Sequence, residues 1–142
     1  ELSDSWKFNA NNNYDLHVYG PNGFYRGFTG NSNDPEIEIQ CFYEFRKNDP
    51  AALTGNIVFM LNSTGNKDHT ILITDNAYKM NAQKRTLKAD SAETFLFKLD
   101  KSFGWYDFSV RIKGNTVFER RYAGRVETGK ASKSDPLMGN FI

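Results

Sequence analysis

The sequence of 142 residues has one cysteine and two histidines, and its 18 Lys and Arg residues nearly balance its 17 Asp and Glu residues. A single cysteine excludes an intrachain disulfide and a cysteine-rich zinc site, and two histidines cannot form a three-histidine zinc centre. The formal net charge of +1 gives no electrostatic basis for nucleic-acid binding, which uses a clustered excess of Lys and Arg. No apolar run approaches the roughly 20 residues that a membrane-spanning helix needs.

Aromatic residues, by contrast, are abundant. They make up 15% of the chain, with 12 Phe and 7 Tyr, and this apolar surface is enough for a core and excludes overall disorder. The length is typical of one domain, so we predict a single domain over residues 1–142. The chain opens at Glu1 without an initiator Met or a signal peptide, which predicts a piece excised from the C-terminal end of a longer chain. Residues 123–142 show little periodicity and are predicted to form an irregular tail.

The dominant sequence period is two. Between Glu36 and Arg46 every odd position is apolar, and the even positions are polar except for Phe42. Because side chains alternate between the faces of a strand, this pattern predicts a strand with one buried face. Shorter alternations or apolar runs predict further strands at 14–18, 24–28, 57–61, 71–73, 95–99, 106–112 and 116–120.

Turn residues separate these segments. Pro21-Asn22-Gly23 and Gly114-Asn115 are typical hairpin turns, because Asn and Gly tolerate the positive φ that tight turns require. Thr64-Gly65-Asn66 is predicted to turn a third hairpin, and 47–50 a loop. The segment 80–89 is the best helix candidate but has too few apolar residues for a helical stripe. The fold class predicted is all-β: an antiparallel β-sandwich of about eight strands, immunoglobulin-like in architecture, with a closed barrel as the alternative.

Catalytic chemistry has little support in the sequence. Neither His17 nor His69 lies in a nucleophile motif, and Cys41 falls on the apolar side of its strand, where a thiol is a buried hydrophobe. No spacing matches a metal-ligand motif or a calcium-binding loop. We therefore predict no catalytic residues, no metal and no cofactor.

Binding or interdomain contact is better supported. Phe42, Tyr25 and Trp105 are placed by alternation on solvent faces, where planar rings can stack on sugars or dock a neighbouring domain. The densest cluster combines arginines with carboxylates, whose bidentate pairs can clamp a tail to a sheet or to another domain. The predicted binding or interdomain residues are Trp105, Tyr106, Asp107, Arg120, Arg121, Arg125, Glu127 and Asp135.

Several motifs, in conserved order along the chain, resemble the C-terminal domain of bacterial phosphocholine-preferring phospholipases C. They are Tyr19-Gly20-Pro21-Asn22-Gly23-Phe24 with Arg26, Asp75-Asn76-Ala77-Tyr78, Gly104-Trp105-Tyr106-Asp107, and residues 120–129 with Ser132, Ser134-Asp135-Pro136 and Met138-Gly139. The resemblance implies a β-rich domain that follows a phosphoesterase domain and a sister β domain in an exported enzyme. It implies that the catalytic and metal-binding residues belong to the phosphoesterase domain, so none is carried onto this chain.

The resemblance therefore predicts a non-catalytic accessory domain of a phospholipase C, itself a phosphoric diester hydrolase that is periplasmic or secreted. Its partners would be the catalytic phosphoesterase domain and the sister β domain of the same chain, on which it packs to support stability or substrate access. A lipid or membrane surface is a further candidate partner. The alternative is a module that binds lipid headgroups, choline or carbohydrate, with aromatic rings around a quaternary ammonium.

Overall fold

The computed structural model describes residue 5, residues 7–131 and residues 133–137, and their regular structure is almost entirely β. Nine antiparallel strands and one 3-10 turn, Asp100–Ser102, are present in these residues. The strands are β1 (Asn13–Tyr19), β2 (Tyr25–Asn31), β3 (Ile37–Arg46), β4 (Asp49–Ser63), β5 (His69–Asp75), β6 (Gln83–Leu87), β7 (Ala92–Phe97), β8 (Trp105–Ile112) and β9 (Glu119–Arg125). No helix among these residues is long and apolar enough to cross a membrane.

The strands form two sheets that pack face to face. The larger sheet has six strands in the order β1-β2-β9-β8-β5-β6, and the smaller has three in the order β3-β4-β7. The predicted antiparallel sandwich is therefore confirmed, and the sheets are open rather than joined in a barrel. The two continuous apolar runs lie in β4 and β5, each flanked by a strand on both sides, as their apolar character predicts.

The core lies between the sheets and is built from the inward residues of both. Phe59 of β4 is fully buried, and its ring makes edge-to-face contacts with Phe97, Phe108 and Tyr122 at centroid distances of 6.0, 5.7 and 5.2 Å. Aromatic pairs favour such edge-to-face geometry. The 12 Phe and 7 Tyr of the sequence thus supply much of the core.

Strand β6 accounts for the difference between nine strands and the predicted eight. It falls within the segment that was the best helix candidate, and of its five residues only Leu87 is buried. As the edge strand of the larger sheet it pairs with β5 alone, so it carries no apolar alternation that could reveal it.

Two predicted hairpins differ in the structure. Thr64-Gly65-Asn66 connects β4 to β5, which belong to different sheets, so it is a crossing and not a hairpin turn. The link between β8 and β9 is longer than Gly114-Asn115, because the Asn115 side chain accepts bonds from the backbone N–H of Val117 and Phe118, both at 3.0 Å, and delays the start of β9. This local capping holds the backbone out of the strand.

Other turns follow the expected chemistry. Asn22 and Gly23 both have positive φ, 55° and 72°, in the link between β1 and β2. The predicted loop at 47–50 is shorter than expected, since β4 begins at Asp49. Strand β9 continues to Arg125 and so includes the first three residues of the predicted tail, which pair with β2 and β8.

Candidate functional site

The eight predicted site residues lie in three separate places. Successive residues of a strand point to opposite faces, so the sequence neighbours Asp107 and Tyr106, like Arg121 and Arg120, are divided between the outer and inner faces of the larger sheet. The remaining four lie at the end of this sheet where β8 begins and β9 ends, or in the chain that follows: Trp105, Arg125, Glu127 and Asp135.

On the outer face, Arg121 and Asp107 form a bidentate ion pair. The Nε atom of Arg121 donates to Oδ1 of Asp107 at 2.8 Å and its Nη2 atom to Oδ2 at 2.7 Å. These hydrogen bonds raise the pKa of the Arg121 guanidinium above its usual value. Both groups are held ionised, which suits a structural clamp between β8 and β9 rather than proton transfer.

The polar network continues across the same face. Asn76 donates to Oδ1 of Asp107 at 3.1 Å and to the hydroxyl of Ser109 at 2.8 Å, and Ser109 lies 3.3 Å from Glu119. Glu119 forms its ion pair with Arg111 at 2.6 Å, and not with the predicted site residues Arg120, Arg121 or Arg125 within the described structure. Asn76, which lies in one of the motifs shared with the phospholipase C domain, thus has a structural role.

Arg120 connects β9 to the first two strands on the inner face. Its Nη1 donates to the carbonyl of Thr29 at 3.0 Å, its Nη2 donates to the Tyr14 hydroxyl at 2.6 Å, and it pairs with Asp34 at 3.5 Å. Tyr14 in turn donates to Asp34, and burial followed by this bond raises the pKa of Tyr14. The guanidinium also lies 4.2 Å from the ring centroid of Phe118, a cation–π contact.

Tyr106 is a core residue. It is 1% exposed, its hydroxyl accepts a bond from Nη2 of Arg26 at 3.1 Å, and it lies 3.2 Å from the Tyr43 hydroxyl. Burial is the main cause that raises the pKa of Tyr106. The side chain has no access to an external ligand. Arg26, which the sequence indicated only as part of a motif, lies 4.2 Å from the ring centroid of Phe24 and closes the core beside Tyr106.

The chain that follows β9 is tied back onto the sheet. The indole Nε1 of Trp105 donates to the carbonyl of Lys133 at 3.2 Å, and the Tyr78 hydroxyl donates to Asp135 at 3.1 Å. Burial and then the charge of Asp135 raise the pKa of Tyr78. Trp105 and Asp135 therefore make contacts within the domain. Ser132, Met138 and Gly139 of the tail motif lie outside the described residues.

Arg125 and Glu127 lie beside this anchored segment, which contains Lys133 and Asp135. The Arg125 guanidinium is 5.5 Å from the Trp105 ring, and its buried Nε has no hydrogen-bond partner among the described residues. Glu127 accepts a bond from Nδ2 of Asn22 at 3.0 Å. Asn22 belongs to the turn between β1 and β2, so the end of β9 and this turn are joined.

The described residues offer no activated nucleophile. Burial raises the pKa of the Cys41 thiol to about 12, which disfavours the reactive thiolate. His17 bonds the Tyr25 hydroxyl through Nδ1 at 2.6 Å and Asp15 through Nε2 at 2.9 Å. This arrangement orients the hydroxyl of Tyr25. Burial raises the pKa of Tyr25, so this hydroxyl stays protonated. No group of three or more His, Cys, Asp or Glu that could hold a metal occurs within the described ranges.

An apolar row, which sequence reasoning did not assemble, crosses the solvent side of the smaller sheet. Phe42 pairs with Val58 and Val58 with Leu96, so their side chains are neighbours on one face. Phe42 is 44% and Leu96 38% exposed, and between them they leave Val58 only 6% exposed. The sequence signals were Phe42, the one apolar residue on the polar side of its strand, and the continuous apolar run that contains Val58.

A second exposed feature is an aromatic cluster on the outer face of the larger sheet, formed by His17, Tyr19 and Tyr25. The ring centroids of Tyr19 and Tyr25 are 5.2 Å apart and those of His17 and Tyr19 are 6.5 Å apart. Tyr19 is 77% exposed. The cluster borders a hollow of about 410 Å³ that Arg121 also lines.

Comparison with protein families gives a match over nearly the whole sequence. Residues 1–31 and 37–125 match the family described as bacterial phospholipase C, C-terminal domain. The matched residues include all nine strands in full and every residue of the polar network on the outer face of the larger sheet.

Named relatives agree with this family. The chain is 35% identical to the non-hemolytic phospholipase C of Pseudomonas aeruginosa over 140 residues, which is 97% of this chain and 20% of that protein. It is 35% identical to the hemolytic phospholipase C of the same organism, covering 97% of this chain and 18% of that protein. It is 40% identical to the non-hemolytic phospholipase C of Burkholderia pseudomallei, covering 96% and 19%. The chain thus spans about a fifth of the length of these relatives.

Proposed function

Because the chain belongs to the family of C-terminal domains of bacterial phospholipase C, we propose that it is an accessory domain that packs on another domain of the same polypeptide. It is the non-catalytic part of such a protein. The partner would be the catalytic phosphoesterase domain or a sister β domain, and the contact would stabilise the enzyme or shape access to its phosphodiester substrate. The parent would act in the periplasm or outside the cell, where a lone cysteine is compatible with an oxidising environment.

The apolar row of Phe42, Val58 and Leu96 is the observation that supports packing. A solvent-facing strand side normally carries polar residues, and three apolar side chains in cross-strand register form one continuous strip. Covering the exposed parts of Phe42 and Leu96 would contribute on the order of 1–3 kcal/mol. The remaining four-fifths of the relatives' length supplies the polypeptide that can cover it.

The test replaces both exposed ends of the row in a full-length phospholipase C that carries this domain. The double variant Phe42→Ser/Leu96→Ser is expected to lower the unfolding temperature by about 2–6 °C, because the strip no longer buries apolar area against its neighbour. Differential scanning calorimetry measures the change. Tyr19→Ser is the control, since Tyr19 is more exposed and lies on the opposite sheet. Equal unfolding temperatures for the double variant and the unmodified enzyme would contradict the proposal, as would a fully stable and active enzyme truncated before residue 1.

A binding module is the second candidate, and the aromatic cluster of His17, Tyr19 and Tyr25 is the observation that favours it. Exposed rings can hold a quaternary ammonium by cation–π attraction or stack on a sugar. Lipid headgroups, choline and carbohydrate are therefore the ligand classes to test, and a lipid surface would be the corresponding partner. Tyr106, one of the predicted binding residues, is buried, whereas Tyr25, one of the rings predicted to face solvent, contributes to the cluster.

Titration distinguishes the two candidates. If the cluster binds one of these ligands, adding choline, phosphocholine or short glycans at millimolar concentration will change the tyrosine fluorescence or NMR shifts of the enzyme, and Tyr19→Ala will abolish the change. An unaltered spectrum would leave packing as the function supported.

A further inference from the structure

The two edge strands of the smaller sheet, β7 and β3, differ in whether their outward backbone groups are hydrogen-bonded. At β7 they are bonded by side chains of the larger sheet. The side-chain amide of Gln83 in β6 donates to the carbonyl of Leu96 at 2.8 Å, and the Arg85 guanidinium donates to the carbonyl of Thr94. Arg85 also lies 4.7 Å from the ring centroid of Phe95. Side chains of the larger sheet thus satisfy the outward carbonyls of β7, which closes this side of the sandwich and protects the edge from further pairing.

The opposite edge, at β3, has no such cap. The N–H of Thr64 donates to the carbonyl of Glu36 at 3.0 Å, whereas the N–H of Ser63 points the other way and donates to Ser91 at 2.8 Å. Because backbone groups of an antiparallel strand alternate between its two sides, the residues of β3 at odd positions direct theirs away from β4. Among the described residues, β3 pairs with β4 alone, and no described side chain bonds these outward groups. The β3 edge consists of Ile39, Cys41 and Tyr43.

An apolar shelf lies below this edge. The larger sheet has six strands and the smaller only three, so β1 and the adjoining part of β2 extend beyond β3 with no strand above them in the described structure. Their apolar inward residues are Leu16, Val18 and Phe28, which we call the shelf; Tyr14 and Arg26 lie on the same face beside them. Val18 is 49% exposed although it points to the core side of its strand. One strand added at β3, about 4.8 Å away, would lie over the shelf and cover it.

The outer face of β3, together with the residue just before this strand, carries negative charge. Glu36 and Glu38 are exposed and form no ion pair with another described residue. Residues directly opposite on a neighbouring strand interact, and opposite charges are favourable there. A strand placed beside β3 would therefore carry apolar residues at the positions that face the shelf and a Lys or Arg opposite Glu38.

We infer that the β3 edge and the shelf receive one extended strand from the rest of the phospholipase C polypeptide, with alternating apolar and polar or basic residues. The inference rests on the proposed packing within one chain and names the surface and the partner segment. Backbone bonds to Ile39, Cys41 and Tyr43 would hold the strand, as in other cases where an extended peptide extends a sheet. A second copy pairing antiparallel through the same edge does not fit, because both shelves would project into the same space below the joined sheet.

Hydrogen exchange of the full-length enzyme tests this inference. The amides of Ile39, Cys41 and Tyr43 are expected to exchange slowly in the unmodified enzyme. In Val18→Lys, which places a charge on the covered shelf, they are expected to exchange about tenfold faster or more, because the added strand opens more often. Tyr19→Lys is the matched control: it lies on the same strand, faces the other side of the sheet and should leave these amides unchanged. A photo-crosslinking residue at position 18 then identifies the covering segment.

The outcomes separate this inference from the proposed function. A crosslink to an extended segment of the same polypeptide outside residues 1–142 supports it. A crosslink to a second molecule, to lipid or to a segment within residues 1–142 would overturn it, and so would amides at the β3 edge that exchange as fast as those of the Lys47–Asn48 turn. If the edge is unprotected while Phe42→Ser/Leu96→Ser still destabilises the enzyme, packing through the apolar row stands and only the added strand is refuted.

Discussion

Phe59→Ala is expected to lower the free energy of unfolding of the 142-residue chain by about 3–5 kcal/mol, the usual range for truncating a fully buried phenylalanine. Phe59 lies in the central strand of the smaller sheet and contacts aromatic rings from both sheets. The neighbouring rings of Phe97, Phe108 and Tyr122 are fixed on the paired strands β7, β8 and β9, so they cannot move far into the space left by the substitution. The loss therefore includes a cavity term as well as the lost burial.

Urea unfolding followed by circular dichroism measures this loss. Phe42→Ala is the matched control, because it removes the same ring from the adjacent strand at a position that is 44% exposed; its loss should be no more than about 1 kcal/mol. The difference between the two losses of unfolding free energy shows which face of the smaller sheet contributes more to stability. Similar losses for the two variants would show that the isolated chain buries Phe42 as well, contrary to the described structure.

The strands that could be predicted from the sequence have either an alternation of apolar and polar residues or a continuous apolar run. In β3 and β8 the alternation is explicit, because one side packs on the other sheet and the other side meets solvent. Strand β6 could not be predicted in this way. It owes its place to pairing with β5 and to the bonds from Gln83 and Arg85 to β7, which are contacts between segments that no local pattern records.

The candidate site was predicted in composition but not in arrangement. Reading 104–136 as one arginine–carboxylate cluster included the Arg121–Asp107 pair among its possible contacts. Strand alternation, however, sends Arg120 to the other face, where its carboxylate partner is Asp34. Asp34 lies far earlier in the chain, and only the placement of β2 beside β9 brings it there. The apolar row likewise needs the register of three strands, so Phe42 alone could indicate only that its face was unusual.

The motif Gly104-Trp105-Tyr106-Asp107 has a structural explanation that a substitution can test. Gly104 has a φ of +87°, and a Cβ atom on it would lie 2.8 Å from the carbonyl oxygen of Val126. The backbones of Gly104 and Val126 are held against each other, because the N–H of Val126 donates to the carbonyl of Gly104 at 2.8 Å. Gly104→Ala is therefore expected to cost about 2–4 kcal/mol, combining left-handed backbone strain with a clash against an atom that cannot move freely.

Gly114→Ala isolates the first of these contributions, the backbone strain. Gly114 has nearly the same φ, +85°, but nothing lies within 4 Å of its added Cβ, so the strain alone should cost about 1 kcal/mol. The difference between the two variants in urea unfolding then measures the clash at Val126. Val126 is the first residue after β9, and the segment that follows is bonded to the sheet through Trp105 and Lys133. Gly104→Ala should therefore also speed proteolytic cleavage in the segment after Arg125, whereas Gly114→Ala should not. Equal losses of unfolding free energy for the two variants would mean that the contact between Gly104 and Val126 can move apart at little cost. The segment after β9 would then not be anchored through this contact.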